Sequence, residues 1–160
     1  MKKILVVGAG GQIGTELVPH LQKYYGYDNV IAADLRPEIV TKLSGFSRAI
    51  TLNALDMEEY AKVVKRENVD SIFNLVALLS ATGERNPQLA WDINIGALLN
   101  SLNLAKEKKC AVFTPSSIGS FGPGTPADNT PQDTVQRPRT MYGVTKVATE
   151  LLSDYYFIKY

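Results

Sequence analysis

A glycine-rich turn near the N-terminus constrains the fold of this chain most. The apolar run Ile4–Val7 breaks into glycines at positions 8, 11 and 14, and apolar residues at helical spacing follow. Gly8 permits a tight turn, Gly11 leaves room beside the backbone, and Gly14 lets a helix pack closely on the strand. Such a helix start presents unpaired N–H groups at the positive end of the helix dipole, which favours a phosphate. The pattern predicts a nucleotide-binding βαβ unit, and a glycine-rich hairpin loop is the alternative.

Composition excludes several classes of function. The chain has 160 residues, enough for one domain with a hydrophobic core, and its formal net charge is +1. This balance predicts no nucleic-acid partner and no anionic membrane surface, and no apolar segment is long enough to cross a bilayer. The single cysteine, Cys110, has no partner for an internal disulfide, which indicates a cytoplasmic chain. With His20 as the only histidine, no metal site is predicted.

Strand-like and helix-like segments alternate along the chain. The predicted strands are Ile4–Val7, Val30–Ala33, Ile50–Leu52, Ser71–Ala77 and Ala111–Thr114, and the predicted helices are 12–25, 56–68, 87–106 and one that contains Tyr142 and runs to the last residue. This alternation predicts an α/β fold with a Rossmann-type doubly wound parallel sheet. Residues 116–138 hold four of the eight prolines, and we expect a long functional loop there.

Two polar residues follow predicted strands on the nucleotide side. Asp34 ends the second strand twenty residues after Gly14, near where dinucleotide folds place the acid that binds the adenosine ribose. The alternative for Asp34 is a simple helix cap before Pro37. Asn53 comes after the third strand, where its amide is predicted to meet an adenine edge.

Catalytic candidates lie at the two ends of the long loop. Ser116 and Ser117 follow the fifth strand, and Tyr142 and Lys146 are one helical turn apart. An ammonium beside a tyrosine hydroxyl favours the phenolate, a base that takes a proton from an alcohol. Tyr155 and Lys159 have the same spacing, so the spacing alone is not specific, and we interpret that second pair as a packing or solvated face.

These motifs resemble the extended short-chain dehydrogenases/reductases, also called the NAD-dependent epimerase/dehydratase family. The resemblance runs over the whole chain, from the G-x-x-G-x-x-G turn through Ser116-Ser117-Ile118-Gly119 to Tyr142-Gly143-Val144-Thr145-Lys146. Within this family, segments such as Leu78-Leu79-Ser80-Ala81 and 137–146 are most similar to the L-threonine 3-dehydrogenase branch.

The resemblance implies a role for each candidate residue. Tyr142 is the expected base, Lys146 its electrostatic partner and a ribose ligand, and Ser117 the hydroxyl that positions the substrate oxygen. Ser116 is expected beside the nicotinamide, and Ser80 against the substrate. The full set of expected NAD contacts is Gly8, Gly11, Gln12, Ile13, Gly14, Asp34, Leu35, Asn53, Ala54, Leu75, Val76, Ala77, Asn94, Ser116, Tyr142 and Lys146.

The resemblance also implies a function. We expect NAD-dependent oxidation of the β-hydroxyl of L-threonine to 2-amino-3-oxobutanoate by a homodimer. A nucleotide-sugar epimerase or dehydratase and a non-catalytic dinucleotide-binding module remain alternatives. Two departures from the family pattern are expected to matter: Asn53 stands where aspartate is usual, and the family continues beyond the position of Tyr160 with a sixth strand and a substrate-binding half.

Overall fold

The structure, a computed structural model, describes all residues from 1 to 160. Its strands are β1 (Ile4–Val7), β2 (Val30–Asp34), β3 (Arg48–Thr51), β4 (Ser71–Asn74) and β5 (Ala111–Phe113). They form one parallel sheet in the order β3-β2-β1-β4-β5. This is the doubly wound order of a Rossmann-type fold, so the predicted fold class is confirmed.

Six α-helices accompany the sheet. They are α1 (Gln12–Tyr25), α2 (Pro37–Leu43), α3 (Met57–Arg66), α4 (Ser80–Arg85), α5 (Pro87–Lys108) and α6 (Met141–Lys159). Short 3₁₀ turns cover Tyr27–Asn29 and Ile118–Ser120. None of the helices is both long enough and apolar enough to cross a bilayer.

The chain divides into two compact units. The first unit contains residues 1–76 and 96–114 and holds the whole sheet. The second unit contains residues 77–95 and 115–160, with α4, the start of α5, the long loop and α6. The residues predicted to bind the nucleotide belong mainly to the first unit, and the predicted catalytic residues belong to the second.

Both faces of the central strands β1 and β2 are buried. Leu5 and Val7 of β1 pack in one apolar cluster with residues of α3, whereas Ile4 and Val6 pack in another with residues of α1. Successive side chains of a strand point to opposite faces, so a continuous apolar run fills both clusters at once.

Some predicted boundaries are wrong by a few residues. The fourth strand stops at Asn74 instead of Ala77, because its neighbour β1 offers partners only as far as Val7. The third strand is Arg48–Thr51, and the fifth ends at Phe113. Helix α3 ends at Arg66, before Asn68 adopts a left-handed φ of 52°.

Two short helices and two side-chain environments lie outside the predictions from the sequence. Helices α2 and α4 are each seven residues or shorter, too short to give a clear periodic signal. Trp91 lies on α5 and is 40% exposed. Cys110 is half-buried, and its thiol donates a hydrogen bond to the Val69 carbonyl.

Candidate functional site

Gly8, in the turn between β1 and α1, and Gly14, in the first turn of α1, are both positions that require glycine. Gly8 has a φ of +81°, which favours glycine, and a Cβ added there would lie 3.1 Å from the backbone of Leu75 and Val76. A Cβ at Gly14 would lie 2.4 Å from the Ala9 carbonyl oxygen, so only glycine allows α1 to pack this closely. Gly11 has one neighbour, the Gly8 carbonyl oxygen, at 3.3 Å from an added Cβ. The local geometry therefore fits the predictions that Gly14 allows α1 to pack closely and that Gly11 leaves the backbone accessible.

The N-terminus of α1 is suited to a pyrophosphate. No side chain caps it, and no acidic residue lies in its first turn. The N–H groups of Gln12 and Ile13 have no acceptor in the protein, and both residues are exposed to solvent. Unpaired donors at the positive end of a fourteen-residue helix fit the diphosphate of a dinucleotide.

Asp34 ends β2 as a buried carboxylate with several donors around it. Its Oδ2 accepts from the Gly10 N–H at 3.0 Å, and its Oδ1 accepts from the Arg36 N–H at 3.1 Å and from Arg36 Nε at 3.0 Å. Burial raises the pKa of this carboxyl, but the hydrogen bonds from Arg36 and Gly10 outweigh burial and lower it below its ordinary value. Asp34 is therefore an ionised acceptor at neutral pH, as a ribose ligand must be.

Gly10 contributes to this arrangement, and sequence reasoning assigned it no role. A Cβ at Gly10 would lie 2.0 Å from Cγ2 of Ile39 and 2.8 Å from Oδ2 of Asp34. Glycine is required at position 10 because Ile39 lies on α2, a helix that the sequence pattern did not predict. The only sign of this requirement in the sequence is one more glycine in a glycine-rich turn.

The other nucleotide contacts expected in the first unit have local roles in the structure. Oδ1 of Asn53 accepts from the Leu55 N–H at 3.0 Å, and the Ala54 carbonyl accepts from Asn100 at 2.8 Å. Leu35 is 60% exposed. Leu75 and Val76 follow β4, and their N–H groups donate to the Val7 carbonyl and to the Asn74 side chain. Contact of these residues with a nucleotide stays a prediction.

In the second unit, Tyr142 and Lys146 lie near the start of α6. Nζ of Lys146 donates to the Pro115 carbonyl at 2.8 Å and lies 5.6 Å from the centre of the Tyr142 ring. Lys146 is only 6% exposed, and this burial lowers the pKa of its ammonium group. The ammonium is thus held close to the tyrosine ring by a backbone carbonyl.

Ser117 reaches the same place through Gly119. Oγ of Ser117 accepts from the Gly119 N–H at 3.1 Å. A Cβ at Gly119 would lie 3.3 Å from Cδ1 of Tyr142 and 3.4 Å from Oγ of Ser117, so both side chains border this one glycine. The structure therefore brings together all three predicted catalytic residues, Ser117, Tyr142 and Lys146.

A second glycine permits this approach. A Cβ at Gly143 would lie 2.2 Å from the Gly119 carbonyl oxygen and 2.5 Å from Cβ of Pro138. The first turn of α6, capped by the Thr140 side chain, packs directly on the 3₁₀ turn that follows Ser117. The backbone thus sets the position of Tyr142 beside the serine.

Four further residues predicted to contact the cofactor or the substrate lie elsewhere in the second unit. The Ser116 hydroxyl donates to the Glu150 carboxylate. Asn94 is buried, accepting from the Leu78 N–H at 2.6 Å and donating to Thr145 Oγ1 at 3.0 Å. Ser80 is exposed at the first position of α4, and Ala77 precedes that helix. The expected contacts of these four with cofactor or substrate remain predictions.

The second Tyr-x-x-x-Lys pair has none of this environment. Tyr155 is 53% exposed and contacts the rings of Tyr156 and Tyr160, and Lys159 is exposed at the end of α6. The two pairs have the same spacing, and only the sequence around each pair distinguishes them.

The sheet order, the glycine turn and the buried acid after β2 define a dinucleotide-binding domain of the Rossmann class. A sequence profile of the NAD dependent epimerase/dehydratase family matches residues 4–160. The chain belongs to this family, and its cofactor is NAD.

Similar proteins are about twice as long as this chain. An uncharacterized epimerase/dehydratase of Staphylococcus saprophyticus is 52% identical over the whole chain, which spans 50% of that protein. The chain therefore spans about half the length of the curated relatives it matches.

Solved structures of similar folds include L-threonine dehydrogenases. That of Clostridium difficile has a TM-score of 0.95 and 48% identity, over 99% of this chain and 50% of that one. A GalE-like L-threonine dehydrogenase of Cupriavidus necator, in its holo form, has a TM-score of 0.94 and 47% identity, over 98% and 50%. A monomeric L-threonine 3-dehydrogenase from a metagenome has a TM-score of 0.91 and 43% identity, over 98% and 49%.

Proposed function

We propose that the complete protein is an NAD-dependent oxidoreductase that converts L-threonine to 2-amino-3-oxobutanoate. The observation that carries this proposal is that Ser117 and Tyr142 both border Gly119, while Nζ of Lys146 lies 5.6 Å from the centre of the Tyr142 ring. The names of the similar solved structures supply the substrate, since three of them at 43–48% identity are threonine dehydrogenases.

The reaction removes a hydride from the β-carbon of threonine and a proton from its hydroxyl group. NAD, when bound, supplies the hydride acceptor. Tyr142 as the phenolate takes the hydroxyl proton, and Ser117 donates a hydrogen bond to the same oxygen as the carbonyl forms. Proton and hydride together account for the oxidation of the alcohol to a ketone.

Lys146 makes the tyrosine an effective base. Its ammonium lies within reach of the Tyr142 ring and is tethered to the Pro115 carbonyl, so its charge stabilises the phenolate without a large reorganisation. A buried ammonium is expensive unless it is hydrogen-bonded, and here its neighbours include a backbone carbonyl and an aromatic ring. This environment is what an electrostatic partner of a phenolate requires.

The nucleotide-binding half of the proposal rests on the first unit. The exposed N–H groups of Gln12 and Ile13 would hold the pyrophosphate, and Asp34 would accept hydrogen bonds from the adenosine ribose. A 2′-phosphate would place like charges together at Asp34, so NAD is preferred over NADP.

The test is a substrate comparison with the complete protein. Production of NADH from NAD with L-threonine, and no isomerisation of UDP-glucose, supports the proposal. Isomerisation of UDP-glucose without net NADH would identify a nucleotide-sugar epimerase instead. Binding of NAD with neither activity, while Tyr142→Phe binds NAD equally well, would favour a non-catalytic module.

We also propose that the complete protein forms a homodimer. Large apolar side chains of the second unit are exposed on two helices: Leu89 and Trp91 on α5, and Val144 and Leu151 on α6. Burial of such side chains in an interface removes them from water. The similar metagenome enzyme is named as a monomer, so a sedimentation mass is the deciding measurement. A mass equal to one chain at micromolar concentration would contradict the dimer.

We place the protein in the cytoplasm, acting on a small molecule. Burial raises the pKa of the Cys110 thiol, which keeps it protonated and suits a compartment where thiols stay reduced. Fractionation of cells that express the complete protein would test this location, and export would contradict it.

A further inference from the structure

Glu150 on α6 links three segments of the second unit through one carboxylate. One oxygen accepts from the Ser116 hydroxyl, and the other accepts from Nε2 of Gln136 at 2.9 Å. The same amide donates to Ser120 Oγ at 3.1 Å, and Ser120 Oγ donates to the Ser117 carbonyl at 2.8 Å. A helix, the end of the long loop and the 3₁₀ turn are therefore joined at Glu150.

The segment that carries Ser117 is held from two positions of α6. Lys146 holds the Pro115 carbonyl, and Glu150, one turn further along the helix, holds the Ser116 hydroxyl. Ser117 is the next residue, and its Oγ borders Gly119 opposite the Tyr142 ring. A segment tied at two successive residues has little freedom to rotate its third.

We propose that Glu150 is a positioning residue, which keeps the 115–120 segment on α6 so that Ser117 stays beside Tyr142. This inference rests on the proposed function, because positioning matters only if Ser117 serves the reaction. A misplacement of about 1 Å in a catalytic group costs up to about a hundredfold in rate.

The charge of Glu150 is satisfied only by neutral donors. No basic side chain lines the cavity beside it, and Glu150 forms no salt bridge. Removing the carboxylate therefore releases the Ser116 hydroxyl and the Gln136 amide together, without leaving an unpaired buried cation. The effect of its loss is confined to the segments that it joins.

Hydrogen exchange on the 160-residue chain tests the tether without reference to activity. We expect Glu150→Ala to speed amide exchange at least about tenfold in residues 116–121 and 133–137, while β1 and β4 exchange as in the wild type. Asp154→Ala is the matched control, since Asp154 is an exposed carboxylate one turn further on α6 with no side-chain partner. Unchanged exchange in both segments, or a uniform increase through the sheet, would overturn the proposal.

Kinetics of the complete protein test the consequence for catalysis. If the wild type oxidises threonine, Glu150→Ala is expected to lower kcat about tenfold or more and to leave KM for NAD within about threefold. Glu150→Gln, which still accepts one hydrogen bond, should recover part of the loss, and Asp154→Ala should match the wild type. A kcat for Glu150→Ala equal to that of the wild type would refute the positioning role. A wild type that does not oxidise threonine would refute the proposed function instead. The hydrogen-exchange measurement would still test whether Glu150 holds the 115–120 segment on α6.

Discussion

The backbone N–H of Gly10 lies 3.0 Å from Oδ2 of Asp34, so the turn after β1 donates directly to the acid at the end of β2. The glycine turn proposed to bind the phosphates and the acid proposed to bind the ribose are therefore parts of one hydrogen-bonded structure. Preorganisation of this kind removes part of the cost of ordering the site on binding.

Replacement of Gly10 by alanine is expected to weaken NAD binding selectively. The new Cβ would meet Cγ2 of Ile39 at 2.0 Å, so either α2 or the turn must move, and the contact with Asp34 is lost. We expect the Kd for NAD to rise about tenfold, equivalent to about 1.4 kcal/mol, and the preference over NADP to shrink.

Calorimetric titration of the 160-residue chain with both dinucleotides measures these constants. Gly45→Ala is the control, because an added Cβ there would make only an ordinary contact, 3.4 Å from the Lys42 carbonyl oxygen. A Kd for NAD unchanged by Gly10→Ala would show that Asp34 does not need this turn.

Much of the nucleotide-binding half could be predicted because its signals are local. The glycine turn, the apolar strand before it and the acid after β2 each depend on short segments with fixed spacing. The role of Gly10 could not be predicted, because the clash that requires glycine comes from Ile39, far along the chain on a seven-residue helix.

The three candidate catalytic residues could be located together from the sequence, whereas the hydrogen bonds that hold their neighbours could not. The resemblance to the family located Ser117, Tyr142 and Lys146 by motif. The contact of Ser116 with Glu150 and the hydrogen bonds of the Asn94 side chain join residues at least sixteen positions apart, and periodicity contains no information about such pairs. The fourth strand was predicted too long for a similar reason, since its length is set by its neighbour β1.

Acid titration should report the environment of Asp34. Its pKa is lower in the folded chain than the ordinary 3.8, so the ionised carboxylate stabilises the fold above about pH 3.8. This contribution is lost as the pH falls through the lower folded value. Asp34→Asn is therefore expected to be less stable than the wild type at pH 7, with a difference that closes below about pH 4.

Urea unfolding at a series of pH values measures that difference. Asp154→Asn is the comparison, because its exposed carboxylate has no side-chain partner. A gap between Asp34→Asn and the wild type that is constant from pH 7 to pH 3 would contradict the prediction.

Loss of the Tyr142 hydroxyl is expected to abolish turnover and leave the cofactor bound. In the complete protein, Tyr142→Phe should lower kcat by about 10²–10⁴-fold, the range for a general base, with little change in the Kd for NAD. Lys146→Met should lower kcat and also raise the Kd for NAD, because its ammonium is predicted to serve both the tyrosine and the ribose. Tyr155→Phe has the same chemistry on the exposed part of α6 and should behave as the wild type. Retention of more than a few per cent of activity by Tyr142→Phe would mean that another group is the base.

The packing of α6 on the 3₁₀ turn should make Gly143 intolerant of a side chain. Alanine in a helix is favoured over glycine by about 1 kcal/mol, which alone would make Gly143→Ala stabilising. A Cβ at 2.2 Å from the Gly119 carbonyl oxygen reverses the sign, since overpacking against backbone costs about 1–3 kcal/mol. Gly124→Ala, with no atom within 4 Å of the added Cβ, should change the free energy of unfolding little. Equal urea midpoints for the two variants would show that the turn and the helix separate easily.

The 160-residue chain by itself is expected to bind NAD and not to oxidise threonine. The expected ligands of the adenine half of the cofactor, from Gly8 to Asn53, all lie in the first third of the chain, so we expect this half of NAD to bind. On the catalytic side, Ile118, the neighbour of Ser117, is 90% exposed, so water has free access beside the reacting groups. Proper orientation of a substrate contributes about 7–11 kcal/mol to barrier reduction, and an open surface cannot hold a small amino acid in one geometry. The relatives are about twice as long, and the family resemblance assigns substrate contacts to their second half.

Fusion of residues 1–160 to the second half of the Clostridium difficile enzyme provides the comparison. We expect NADH production from the fusion alone and similar NAD affinity for both proteins. Comparable turnover by the isolated chain would show that its own residues suffice to hold threonine.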